Sequence, residues 1–123
     1  MITSGLWIAN LVEVAEDIAN RQHQELRWMA PDAHAWERPE ELINVLFDDS
    51  VFEGFLEEYS STFSAEQRRI AFKLRDDINR YCGTTLIKLD PQEVLADPRW
   101  ETIRQEAAAF VAAFKGKWPT LVT

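Results

Sequence analysis

The stretch DPRWETIRQEAAAFVAAFKG, Asp97 to Gly116, decides the fold class. Trp100, Ile103, Ala107, Phe110, Val111 and Phe114 recur at spacings of three and four, the period that gathers side chains on one face of an α-helix. Both ends carry signals as well. Asp97 followed by Pro98 supplies an oxygen for the free backbone N–H groups of a first turn and a first helical residue with no N–H to satisfy. Gly116, with Pro119 behind it, stops the helix, since glycine reaches the left-handed conformation that closes helices without steric cost. The same opening signal, Asp90 with Pro91, lies just upstream and predicts a short helical turn from Pro91 to Ala96.

The rest of the chain repeats this grammar. Trp7, Leu11, Val14, Ala15 and Ile18 share one stripe, with Asn10, Glu13, Asp17 and Asn20 on the other side, so a long amphipathic helix is expected from about Ser4 to about Leu26. The connection from Arg27 to Arg38 contains Pro31, Trp28 and Trp36 and is expected to be a loop ordered by aromatic burial. Pro39 suits a first helical position, and Leu42, Ile43 and Leu46 form the inward stripe of a second helix ending near Asp48. Ser50 with Glu53 is a capping box, opening a third helix with Val51, Phe52, Phe55, Leu56 and Tyr59 inward. Ser64 with Gln67 repeats the device for a fourth, which carries Ile70, Leu74, Ile78 and Tyr81 and is expected to end at Gly83. Thr84 to Leu89 has the β-branched content of an extended segment, but one such segment makes no sheet.

These readings predict a single all-α domain over residues 1–123, a bundle of about five to six helices with short connections. The length removes roughly two thirds of the unfolded surface from water, enough to fold without a disulfide or metal. Cys82 is the one cysteine, so no intramolecular disulfide is possible, and burial as packing is expected for it. Met1 to Val12 has no positive leader region and runs into Glu13, Glu16 and Asp17, which argues against a signal peptide or membrane anchor; the expected address is the cytoplasm.

Charge is unevenly placed. Eight of the 21 acidic residues lie between Glu37 and Glu58, against the single basic Arg38, so this block holds about −7 of the net −8. Such a field attracts basic partners and repels nucleic acid and anionic membrane. In the second helix Glu41, Asn44 and Asp48 lie opposite Leu42 and Leu46. In the third, Glu53 and Glu57 lie opposite Phe52, Phe55 and Tyr59, and no Lys or Arg follows at i+4. A purely solvated face more often mixes signs, so Glu37, Glu40, Glu41, Asp48, Asp49, Glu53, Glu57 and Glu58 form the expected partner-binding set. Phe72 joins them as a candidate anchor, because it points away from the Ile70/Leu74/Ile78 stripe toward Arg68, Arg75 and Asn79. Basic residues of the fourth helix alternate with Asp76 and Asp77, which argues against a nucleic-acid groove.

Catalytic chemistry finds little support in the sequence. His23 and His34 lack the Glu-x-x-His setting of di-metal bundles, and with Cys82 they supply too few ligands for structural zinc. No nucleophile elbow or phosphate-cradling glycine loop is present. Glu40 and Glu41 ahead of Asp48 and Asp49 look a little like the Glu-Glu-x-x-Glu helix of MazG-type nucleotide pyrophosphohydrolases, which hold magnesium. Here Asn44 takes the third carboxylate position and no downstream Glu-x-x-Asp completes the site. That magnesium-dependent enzyme is the alternative reading.

Three stretches carry a different resemblance: Trp36-Glu37-Arg38-Pro39-Glu40-Glu41-Leu42, then Leu46-Phe47-Asp48-Asp49, then Asp97-Pro98-Arg99-Trp100 leading into an Ala/Phe-rich helix. They resemble the small acidic cytoplasmic immunity proteins encoded beside bacterial polymorphic toxins, including those of contact-dependent growth inhibition. The resemblance implies a non-enzymatic inhibitor that needs no cofactor or metal and binds one cognate toxin domain, often a basic nuclease. With the charge pattern, which sets no membrane or nucleic-acid partner as the expectation, the chain is expected to be a monomer or a heterodimer with the toxin.

Overall fold

The computed structural model describes residues 4–28, 39–46, 52–84 and 90–117, and among them it is all α with no strand. The helices are α1 (Ser4–Ala19), α2 (Arg21–Trp28), α3 (Pro39–Asn44), α4 (Phe52–Tyr59), α5 (Ala65–Thr84), α6 (Pro91–Ala96) and α7 (Pro98–Phe114), with a 3-10 turn at Ser60–Thr62 between α4 and α5. Helix α7 is the axis of the bundle, packed along α1 on one side and along α5 on the other. Its stripe is buried as its spacing requires: Trp100, Ile103, Ala107, Phe110 and Phe114 are all in the core. Val111 lies at the edge of that stripe, half-buried against it.

The caps explain where the helices begin. Asp90 accepts from the Gln92 N–H at 2.9 Å and Asp97 from the Arg99 N–H at 2.9 Å, each just ahead of its proline. At α5 the capping box is reciprocal: the Ser64 N–H donates to Gln67 Oε1 at 2.9 Å and the Gln67 N–H donates to Ser64 Oγ at 3.1 Å. Helix α7 is closed at Gly116, whose φ of +70° is the conformation that favours glycine. The capping box at Ser50 and the extended segment after Thr84 lie outside the described residues.

Four local expectations need correction. The first long helix is two, broken at Asn20, whose side chain accepts from the His23 N–H at 3.0 Å and so caps α2. An asparagine oxygen competes well with the helical ladder, and the carbonyls released at the end of α1 find other donors. Gln24 Nε2 donates to the Asp17 and Ile18 carbonyls at 2.9 and 2.7 Å, and Arg104 Nη1 donates to the Ala19 carbonyl at 3.2 Å. Helix α2 then runs to Trp28, which is buried, so Arg27 and Trp28 belong to a helix rather than to the following loop. Gly83 does not end α5, which continues to Thr84, and Cys82 is exposed rather than buried.

Gln24 is the one fully buried polar side chain among the described residues. Its Oε1 accepts from Trp100 Nε1 at 3.1 Å, so one amide joins the α1/α2 break to the start of α7 with all its obvious bonds made. With helix covering nearly every described segment, far-UV circular dichroism is expected to show the double minimum of α-helix. A sheet-dominated spectrum contradicts the fold.

Candidate partner-binding surface

Helix α4 is short, and a short helix has little stability of its own, so its orientation is set by what its apolar side packs on. Phe52, Phe55 and Leu56 are buried and Tyr59 is half-buried. Phe52 meets Phe110 of α7 edge-on at 5.6 Å, and Phe55 meets Trp7 of α1 edge-on at 5.4 Å and Phe63 at 5.9 Å. Trp7 also meets Tyr59 at 5.8 Å and a perpendicular angle. These rings pin α4 against α1, α7 and the turn that follows α4, which fixes the direction of its opposite face.

That face is acidic. Glu53 and Glu57 are exposed, as their helical phase predicts, and Glu58 beside them is exposed too. Arg75 of α5 approaches Glu53 at 3.9 Å, but with Glu53 55% exposed this loose pair contributes little. Glu57 and Glu58 have no ion pair among the described residues. In α3, Pro39, Ile43 and Leu46 turn inward, Glu41 is half-buried and Asn44 is exposed. Glu37, Asp48 and Asp49 lie outside the described residues, as does the side chain of Glu40, so of the predicted set the structure places Glu41, Glu53, Glu57, Glu58 and Phe72. It brings Glu53, Glu57 and Glu58 onto one exposed helix face.

Phe72 is half-buried and packed on the edge of the core, with the Arg75 guanidinium 4.6 Å above its ring. A cation over an aromatic face is weakly attractive, and here it links Phe72 through Arg75 to Glu53. Phe72 therefore adjoins the acidic face at its α5 border, and it does not project as a free anchor.

A second cluster lies elsewhere, between α5 and α7. A pocket of about 280 Å³ is lined by Asp77, Arg80, Tyr81, Arg99, Thr102 and Ile103. Its two guanidiniums are committed: Arg80 donates to Asp77 at 2.9 Å, and Arg99 donates to Asp97 at 2.8 Å while covering the Tyr81 ring at 4.9 Å. Burial pushes the Tyr81 phenol up to about 12, so it stays protonated. Behind Asp77 lies Glu106 of α7, with Lys73 of α5 between the two carboxyls. The sequence signals Lys73 and Asp77 as an i, i+4 pair, but Glu106 enters only through the register of α5 against α7.

The remaining candidate chemistry is sparse. His23 is exposed, and partial desolvation raises the Cys82 thiol, which leaves less reactive thiolate at neutral pH. Among the described residues, no three or more His, Cys, Asp or Glu side chains are grouped to hold a metal ion, and no helix is long and apolar enough to cross a membrane. No known family model matches the chain, and neither a curated protein nor a solved structure shows significant similarity to it.

Proposed function

We propose that this chain is a non-enzymatic inhibitor of the immunity-protein kind, which neutralises a basic protein toxin domain by docking the outward face of α4 and the acidic residues flanking it. The observation that carries the reading is the exposure of Glu57 and Glu58, without an ion pair among the described residues, on a helix whose other side is held by four aromatic contacts. Unpaired like charges cost some stability through self-repulsion, and a rigid platform presents them without further ordering when a partner arrives. The concentration of about −7 between residues 37 and 58 and the resemblance to immunity proteins agree with that role.

The direct test reverses Glu57 and Glu58 to lysine. Both side chains are exposed, so the helical spectrum is expected to stay unchanged. The association rate with a basic cognate partner is expected to fall by roughly tenfold or more at low salt, because such charges steer the encounter more than they hold the complex. An association rate equal to that of the native chain makes the acidic face an ordinary solvated surface.

A further inference from the structure

Asp77 and Glu106 face each other across the α5–α7 seam, and their oxygens are unequally served. Asp77 has a donor on each oxygen and room for more: Arg80 Nη1 donates to Oδ1 at 2.9 Å and Lys73 Nζ donates to Oδ2 at 3.1 Å. Glu106 has no such donors. Both its carboxyl oxygens are shut off from water and neither receives a hydrogen bond of good geometry, although Lys73 Nζ comes within 3.2 Å of Oε2. The two side chains are only 13% and 14% exposed. A buried carboxylate without donors is costly, whereas a buried carboxylic acid beside a carboxylate has an acceptor at hand.

We propose that Glu106 keeps its proton in the folded chain and through it donates a hydrogen bond to the Asp77 carboxylate, forming a clasp that fastens α7 to α5 and loosens when the proton is lost. The clasp assigns one charge state to each group: an ionised Asp77 held by Lys73 and Arg80, and a neutral Glu106 whose hydroxyl closes on it. Lys73 and Asp77, both of α5, are the charged groups acting on Glu106 among the described residues, and none of α1, α2 or α6 joins them. Burial first, and then the adjoining Asp77, pushes Glu106 up to about 7, while the hydrogen bond from Glu106, with help from Lys73 and Arg80, lowers Asp77.

The sign of the consequence follows from proton counting. Between the ordinary glutamate value and about 7, the folded chain holds a proton on Glu106 that the unfolded chain has released, so stability falls as pH rises through that window and levels off above it. Asp77 acts in another range, since its lowered value supports the fold above the ordinary aspartate pKa and is lost only in acid. Loss of the Glu106 proton near neutrality places a second negative charge in the seam next to Asp77, which borders the pocket between the two helices.

The test is a carbon-13 titration of glutamate carboxyls in the full chain, with Glu106 assigned as the signal missing from Glu106→Gln. A midpoint near 7 is expected. Glu106→Gln keeps a donor for Asp77 and no longer titrates, so the drop in thermal midpoint expected of the native chain between about pH 5 and pH 8 is expected to shrink in this variant. Asp17, also raised by burial, is common to both proteins and cancels in the comparison. In Asp77→Asn the midpoint of Glu106 is expected to fall by about one unit or more, because the repelling charge is gone and an amide N–H becomes available. A Glu106 midpoint near the ordinary glutamate value of about 4.3 overturns the clasp, as does an identical pH dependence of stability in the native chain and in Glu106→Gln. If Asp77→Asn does not fold, those two results still decide.

Discussion

Replacing Phe110 by alanine is expected to lower the unfolding free energy by about 3–5 kcal/mol, the range for deleting a buried aromatic ring from a core that cannot collapse fully. Phe110 is 1% exposed, stacks on Phe114 at 4.5 Å, and meets Phe52 of α4 edge-on at 5.6 Å. The ring is thus the place where the central helix touches the helix that presents the acidic face. Its loss removes transfer energy, leaves a cavity and frees one end of α4. Denaturant unfolding of the variant checks the magnitude, and proteolysis near α4 checks the location. A change below about 1 kcal/mol would show that α7 is peripheral to stability.

The second large effect is expected at Gln24. Its replacement by alanine strips the partner from Trp100 Nε1 and from the carbonyls of Asp17 and Ile18, all within the bundle. Each buried polar group left unpaired costs about 1–3 kcal/mol, and water can reach some of them once the amide is gone, so about 3 kcal/mol in total is the expected loss. The design that isolates the cause adds Trp100→Phe, which removes the orphaned indole N–H. The double variant is expected to lose clearly less than the sum of the two single variants, since the second change no longer strands a donor. Strict additivity would mean that the Gln24–Trp100 bond at 3.1 Å contributes nothing to the fold.

How much of this was legible in advance depends on whether the signal is local. The starts of α5, α6 and α7 are written in adjacent residues, Ser64 with Gln67, Asp90 with Pro91 and Asp97 with Pro98, and the hydrogen bonds fall where those pairs place them. The outward phase of Glu53 and Glu57 follows from α4's apolar stripe in the same way. The break at Asn20 was not legible, because the apolar stripe of α1 continues smoothly up to it and the compensation comes from Gln24 and from Arg104, which is far away in the chain. Gln24 itself reads as a surface residue, and only its bond to Trp100 explains its burial. Glu106 is the same kind of case: it sits next to the apolar positions Ile103, Ala107 and Phe110, yet its partners Lys73 and Asp77 are identified by helix packing alone. Cys82 went the other way, expected inside and found exposed, since the stripe of α5 passes through Ile78 and Tyr81 and leaves position 82 beside it.

The two functional classes differ in what an assay reads. An inhibitor of the proposed kind forms a one-to-one complex without added metal, whereas a pyrophosphohydrolase turns over nucleoside triphosphate in the presence of magnesium. The measurement that reaches the central claim most directly is the association rate between this chain and the protein encoded beside its gene, taken at low and high ionic strength for the native chain and for Glu57→Lys/Glu58→Lys. The account predicts a one-to-one complex whose association slows steeply with salt, and a reversed variant that associates slowly at low salt with little further dependence on it. Equal rates for the two chains at both ionic strengths would contradict it.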